Sequence, residues 1–187
     1  KGKIEQNIQD EGIQAHVFKS KDGKNIVQFG ISEFIFSRLK PYTEWESVFS
    51  ESKRLWELYA GKAKPEIVTR LGVRFINKLD LPLPFEDFKE YLNAPPEVPE
   101  GLPQGISQFL TRVVIHEKDM AANIVQAMAG VKKSESVEVL LDIDVFKIKN
   151  VDVEQIQEIW SEFEQLRKFK NRIFFNSITE KTARLFE

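Results

Sequence analysis

The stretch Glu66-Ile67-Val68-Thr69-Arg70-Leu71-Gly72-Val73-Arg74-Phe75-Ile76-Asn77-Lys78-Leu79 decides the fold. It alternates strictly. Ile67, Thr69, Leu71, Val73, Phe75, Asn77 and Leu79 share one face, and Val68, Arg70, Gly72, Arg74, Ile76 and Lys78 share the other. A period of two marks a β-strand, because successive side chains project to opposite sides. A mostly apolar face opposite a charged one places a covered core on one side and water on the other.

Upstream, Ile13 to Lys19 reads as a strand, followed by the turn Lys21-Asp22-Gly23-Lys24. Asp-Gly between two strand-like runs is a hairpin signal. The partner strand is predicted over Asn25 to Leu39. Its apolar phase shifts from Val27, Phe29 and Ile31 to Phe34 and Phe36, which predicts a bulge or bend near Ser32-Glu33. Pro41 ends it, and Thr43 with Glu46 has capping-box spacing. Trp45, Val48, Phe49, Leu55, Trp56 and Tyr59 then recur at helical spacing, which predicts a helix over 44–60 stopped by Gly61.

Downstream, six of the eight prolines fall within 80–105: Pro82, Pro84, Pro95, Pro96, Pro99 and Pro103. Only Glu86 to Leu92 has helical character there, so the stretch reads as a crossover. Three strands follow. They are marked by Phe109 to Ile115, by Ala121 to Met128, and by the alternation Val137, Val139, Leu141, Ile143 and Val145. Asp152 with Gln155 opens a long helix with apolar positions Ile156, Ile159, Phe163, Leu166 and Ile173. Ser177 with Glu180 opens a short final one.

Strands joined by short turns imply antiparallel pairing. The fold expected is α+β, with a curved, mainly antiparallel sheet of about six strands and two long amphipathic helices packed on one face. One domain is expected over 1–187, with halves 12–79 and 104–187 joined by the proline-rich crossover 80–103.

A chain of 187 residues can bury a sizeable core, roughly 70% of its unfolded surface. Apolar residues are 42% and charged residues 30%, an ordinary globular balance, and fifteen Phe point to aromatic packing. A formal charge of −2 disfavours a general nucleic-acid or membrane-surface binder. The chain has no cysteine, which removes disulfides, thiolate nucleophiles and Cys-based metal sites and fits a reducing, cytoplasmic setting. No apolar run approaches the ~20 residues of a membrane span. The chain starts at Lys1 without methionine, as a fragment would.

Among chemical constellations, Arg70, Gly72, Arg74 and Lys78 stand out. They share one strand face, with the arginines ~13 Å apart. Gly72 leaves backbone uncovered between them, and guanidinium forks suit phosphate or carboxylate. That makes the face a candidate site for an anionic ligand. Glu138, Asp142 and Asp144, which share one face of the last strand, offer the competing reading of cross-strand ion pairs. Asp142 and Asp144 as a metal pair are a weak signal, and no metal or cofactor is expected. His16 and His116 lack ligand spacing. No Gly-rich phosphate loop or G-x-S-x-G is present. The run Arg167-Lys168-Phe169-Lys170-Asn171-Arg172 suits either nucleic acid or a helix C-terminus.

Several phrases together resemble one family. They are Pro41-Tyr42-Thr43 with Trp45, Arg54-Leu55-Trp56 with Tyr59, Arg70 to Asn77, Leu141-Asp142-Ile143-Asp144-Val145-Phe146, and Lys170 to Phe175 with Ser177-Ile178-Thr179. The resemblance is to a sporadically distributed prokaryotic family of uncharacterised proteins, roughly a quarter-thousand residues long, and runs from about residue 12 to the end. Members usually begin with an additional proline-containing strand segment, which this chain lacks, so the resemblance implies an N-terminally shortened piece. It brings no catalytic residues. Patchy distribution of the family fits mobile or defence-associated genes by analogy.

The function expected is a non-catalytic binding or interaction protein, acting as a homodimer or on a protein partner. The first alternative is an enzyme or sensor for an anionic, nucleotide-like ligand held by Arg70 and Arg74. The second is a nucleic-acid-binding regulator working through Arg167 to Arg172. A membrane role is not expected.

Overall fold

A computed structural model describes residues 12–42, 44–132 and 135–186. It is α+β, with antiparallel sheets of three and of four strands. The chain divides into two compact units, 1–65 and 66–187.

The first unit contains β1 (Ala15–Lys19), β2 (Asn25–Gly30), β3 (Phe34–Arg38) and helix α1 (Trp45–Ala63). The Asp-Gly turn forms as its residues demand. Gly23 takes a φ of +69°, which side chains resist, and the Asp22 carboxylate accepts from the Lys24 N–H at 3.1 Å. The strand expected over 25–39 is instead a hairpin. The phase shift near Ser32-Glu33 is a full reversal, closed by Gly30 N–H donating to the Glu33 carbonyl at 2.8 Å. Reversal sets Phe29 opposite Phe34, and both rings lie within 5.7 Å of the Tyr59 ring. The Tyr59 hydroxyl, held above its ordinary pKa by burial, donates to the Gly30 carbonyl at 3.1 Å.

Helix α1 runs past Gly61 and ends at Lys64, which adopts the left-handed conformation and donates its N–H to Ala60. A glycine in the last turn costs ~1 kcal/mol but does not terminate a helix otherwise held by packing. Glu44 stands at the N-cap without a side-chain capping bond, its carboxylate accepting instead from the Ser47 hydroxyl at 3.1 Å, while the Thr43 half of the expected capping box lies outside the described residues.

The second unit contains β4 (Ile67–Pro82), β5 (Leu110–Glu117), β6 (Met120–Lys132) and β7 (Ser136–Asp152). Their order is β4-β7-β6-β5, with every pairing antiparallel. The 16 residues of β4 therefore pair with the last strand. On β7, Val137, Val139, Leu141, Ile143, Val145 and Lys147 are all buried. Helix α2 (Ile156–Ser177) packs on β4 and β7 with Ile159, Leu166, Phe169 and Ile173 buried.

The proline-rich stretch belongs to the second unit. A single 3-10 turn, Phe88–Glu90, forms where a helix over 86–92 is predicted. Beyond it the backbone is drawn away from helical bonding, with Leu92 bridged to Ile178 and the Asn93 N–H donating to the Ser177 carbonyl at 3.1 Å. Phe88, Tyr91 and Leu92 are nonetheless buried. The final helix α3 (Glu180–Ala183) is capped by Thr179, because Ser177 bonds backward to the Ile173 carbonyl at 2.8 Å. Thr182, fully buried, donates to the Tyr91 carbonyl at 2.5 Å and pins this end to the proline-rich segment. No described helix is long and apolar enough to cross a membrane.

Candidate functional site

The alternation of β4 turns Arg70, Gly72, Arg74 and Lys78 to the face opposite α2, as its period requires. The register places Glu138, Asp142 and Asp144 beside them on β7. Arg74 grips Asp142 with two bonds, Nε to Oδ1 at 2.9 Å and Nη2 to Oδ2 at 2.6 Å. This fork holds the Arg74 guanidinium above its ordinary pKa. Arg70 Nη2 reaches Asp144 Oδ2 at 2.9 Å, and Lys78 Nζ reaches Glu138 Oε1 at 3.2 Å. The three cations thus meet three carboxylates, one for one. An incoming anion would have to displace a carboxylate already in place. Of the two readings of this face, the geometry favours cross-strand pairing.

Gly72 has a separate explanation. A Cβ there would lie 2.7 Å from Arg70 Nη1. The glycine clears the path along which Arg70 lies down toward Asp144, with its guanidinium 4.7 Å from the centre of the Phe146 ring. Phe146 is the cross-strand neighbour of Gly72. On β6, Asn123 extends the polar row by accepting from Arg112 Nε at 2.7 Å.

These ion pairs are exposed, with the arginine side chains 49% and 59% accessible. A double-mutant cycle on Arg74→Ala and Asp142→Ala is expected to give a coupling of about 0.2–1 kcal/mol that shrinks in high salt. A coupling well above that range, or one indifferent to salt, would contradict the ladder as described.

The other polar centre was not singled out from the sequence. Lys147 is only 3% exposed, at the end of the buried face of β7. Its ammonium meets Glu162 Oε2 at 2.5 Å, Asp119 Oδ2 at 2.9 Å and Gln165 Oε1 at 3.3 Å. Burial opposes the charge, but Glu162 and Asp119 outweigh it and hold the pKa above its ordinary value. Lys147 ties together β7, α2 and the turn between β5 and β6. The signal was available, since Lys147 continues the apolar phase Val137 to Val145.

The basic run of α2 does not form one patch. Arg172 pairs with Glu117 across to β5, and Phe169 is buried. Lys170 Nζ lies 3.8 Å from the centre of the Phe75 ring, and burial, then Arg167, pulls its pKa down to about 8. The two histidines are exposed, and among the described residues no group of three or more His, Asp or Glu could hold a metal ion.

Two cavities stand out among the described residues. One, of about 420 Å³, lies between α2 and the β5–β6 side of the sheet, against Ile115, Ile124, Phe169 and Ile173. The other, of about 250 Å³, lies in the first unit against Asn25, Phe36, Arg38, Ser47, Val48 and Glu51. Arg38 donates from Nη1 to Asn25 Oδ1 at 2.9 Å, while its buried Nε has no partner among the described residues. The neighbouring Glu51 is held by Arg54 through two bonds of 2.8 Å. Arg38 escapes a sequence reading because only the unexpected β2–β3 hairpin sets it beside Asn25. No family model, no curated protein and no solved structure matches this chain.

Proposed function

We propose that this protein acts by binding, as an interaction protein whose working surface is the sheet of the second unit. One observation carries the reading. The cations of the β4 face are neutralised by β7, while Ile76 and Ile148 on the same face stand 59% and 75% exposed. A balanced ladder studded with apolar side chains suits a protein surface, where charges fix register and apolar contact supplies affinity.

A second reading keeps the anionic ligand but moves it. Arg38, which lines the cavity of the first unit and whose buried Nε has no partner among the described residues, supports it better than Arg70 or Arg74 does. A thermal-shift screen with inorganic phosphate and nucleoside mono-, di- and triphosphates separates the readings. Wild type, Arg74→Ala and Arg38→Ala are compared. Any ligand that binds only the folded state raises Tm by mass action. No shift in wild type is expected under the interaction reading. A shift lost in Arg38→Ala alone establishes the second reading, and one lost in Arg74→Ala alone restores the strand-face site.

A further inference from the structure

We infer that β5 is a self-association edge, on which a second copy of this chain adds its own β5 to continue the four-stranded sheet. The inference rests on the interaction reading and gives it a surface and a partner.

β5 is the outer strand of the sheet, beyond β6. Phe109 accepts from Met128 N–H at 3.0 Å, which sets the hydrogen-bonding phase. Odd-numbered residues of β5 therefore bond to β6. Leu110, Arg112, Val114 and His116 turn their N–H and C=O groups outward. Those groups have no partner among the described residues. Side chains reinforce the edge, since Leu110, Val113 and Val114 are 72%, 54% and 47% exposed.

Sheet edges are normally blunted by proline, lysine or a bulge. The opposite edge strand, β4, has all three: a bulge between Val68 and Arg70, Lys78, and Pro82 at its end. β5 has no proline, lysine or bulge within Leu110–Glu117, and its one arginine, Arg112, is turned back onto β6, its Nε donating to Asn123 Oδ1 at 2.7 Å. An unprotected edge is where another strand adds.

The sequence of β5 selects a second copy. A two-fold axis through Val113 sets Val113 against its own symmetry mate. Arg112 then faces Val114, Leu110 faces His116, and Thr111 faces Ile115, each across the axis. Arg112 never meets an arginine, nor Glu117 a glutamate, so no like charges oppose. This register also satisfies every outward N–H and C=O of the strand at once. Because directly opposite residues lie on the same side of an antiparallel sheet, the apolar strip of Val113 and Ile115 continues across the axis.

The absence of cysteine makes the test direct. In the full chain, Val113→Cys puts one thiol at the two-fold axis, where opposed Cβ atoms lie ~4.5–5.5 Å apart. Leu58→Cys, equally exposed on α1, is the control. Under mild oxidation, Val113→Cys is expected to become a disulfide-linked dimer at least tenfold faster than the control. Wild type is expected to sediment as a dimer at micromolar concentration. Val114→Pro, which deletes an outward N–H that an edge strand can spare, should dissociate that dimer while leaving the circular dichroism spectrum unchanged. A wild type that stays monomeric at hundreds of micromolar overturns the inference, and so does equal cross-linking of both thiols. A dimer insensitive to Val114→Pro would overturn it as well. Any of these results leaves the ligand screen unaffected, so this inference can fail while the interaction reading stands.

Discussion

Lys147→Ala is expected to be among the most damaging single substitutions in the chain, lowering stability by about 3–5 kcal/mol. The reason is what it leaves behind. Glu162 has a side chain only 10% exposed and faces Lys147 at 2.5 Å. Without that ammonium, a carboxylate stays buried with only Lys149, 3.6 Å away, to offset it. Replacing both partners removes the difficulty, because no ionised group is then held out of water. The double variant Lys147→Met, Glu162→Leu should recover most of the loss. Chemical denaturation of the three proteins checks this, and a double variant no better than Lys147→Ala would show that the pairing is not what matters.

The pH dependence follows with its sign. Lys147 has its pKa raised above the ordinary 10.5 in the folded protein. Its contribution is complete at neutral pH and is lost only as pH rises through that folded value. Asp119 is lowered below its ordinary 3.8, chiefly by its bond to Lys147. Its contribution is present above 3.8 and fades as pH falls through the folded value. The Asp119 side chain is 58% exposed, which makes the acid limb the shallower one.

Leu166→Ala is expected to cost about 2–5 kcal/mol, the range for truncating a fully buried leucine. Leu166 is 0% exposed in the middle of α2, the helix that covers β4 and β7. The loss combines transfer energy with a void that a rigid sheet cannot collapse to fill. Phe175→Ala, on a residue 63% exposed at the end of the same helix, should change stability by less than about 0.5 kcal/mol. Comparable midpoints for the two would mean that α2 does not dock through Leu166.

What was legible in the sequence was what periodicity encodes. The alternation through Arg70 to Lys78 gave the strand and its two faces, while pairing with Asp142 and Asp144 stayed a competing reading that needed the two strands to be neighbours. The helical spacing from Trp45 to Tyr59 gave α1 to within a few residues. Periodicity is blind to two things. It does not distinguish a bend from a reversal, so 25–39 reads as one strand although it folds back at Ser32-Glu33. It also does not say which strands are neighbours. The division into two sheets depends on β4 choosing β7 over anything nearer in the chain. Caps were legible only to the nearest few residues, because Ser177 and Thr179 are chemically interchangeable there and packing against Tyr91 decides between them. Arg38 illustrates the same limit, since its position beside Asn25 depends on a hairpin that the pattern does not specify.

The pairing of β4 with β7 also sets a timetable for synthesis. Ile67 meets Asp152, and Pro82 meets Ser136. A ribosome adds about 5–20 residues per second, so β4 spends several seconds outside it before its partner exists. Over that interval Leu71, Val73, Leu79 and Leu81, all buried in the finished protein, have no sheet to enter. Arg70, Arg74 and Lys78 then alternate with them as unpaired positive charges. Such charges repel a second nascent copy and discourage strand-to-strand association. The ladder that contributes little to the stability of the folded protein thus also sets three like charges along a strand that is made well before its partner.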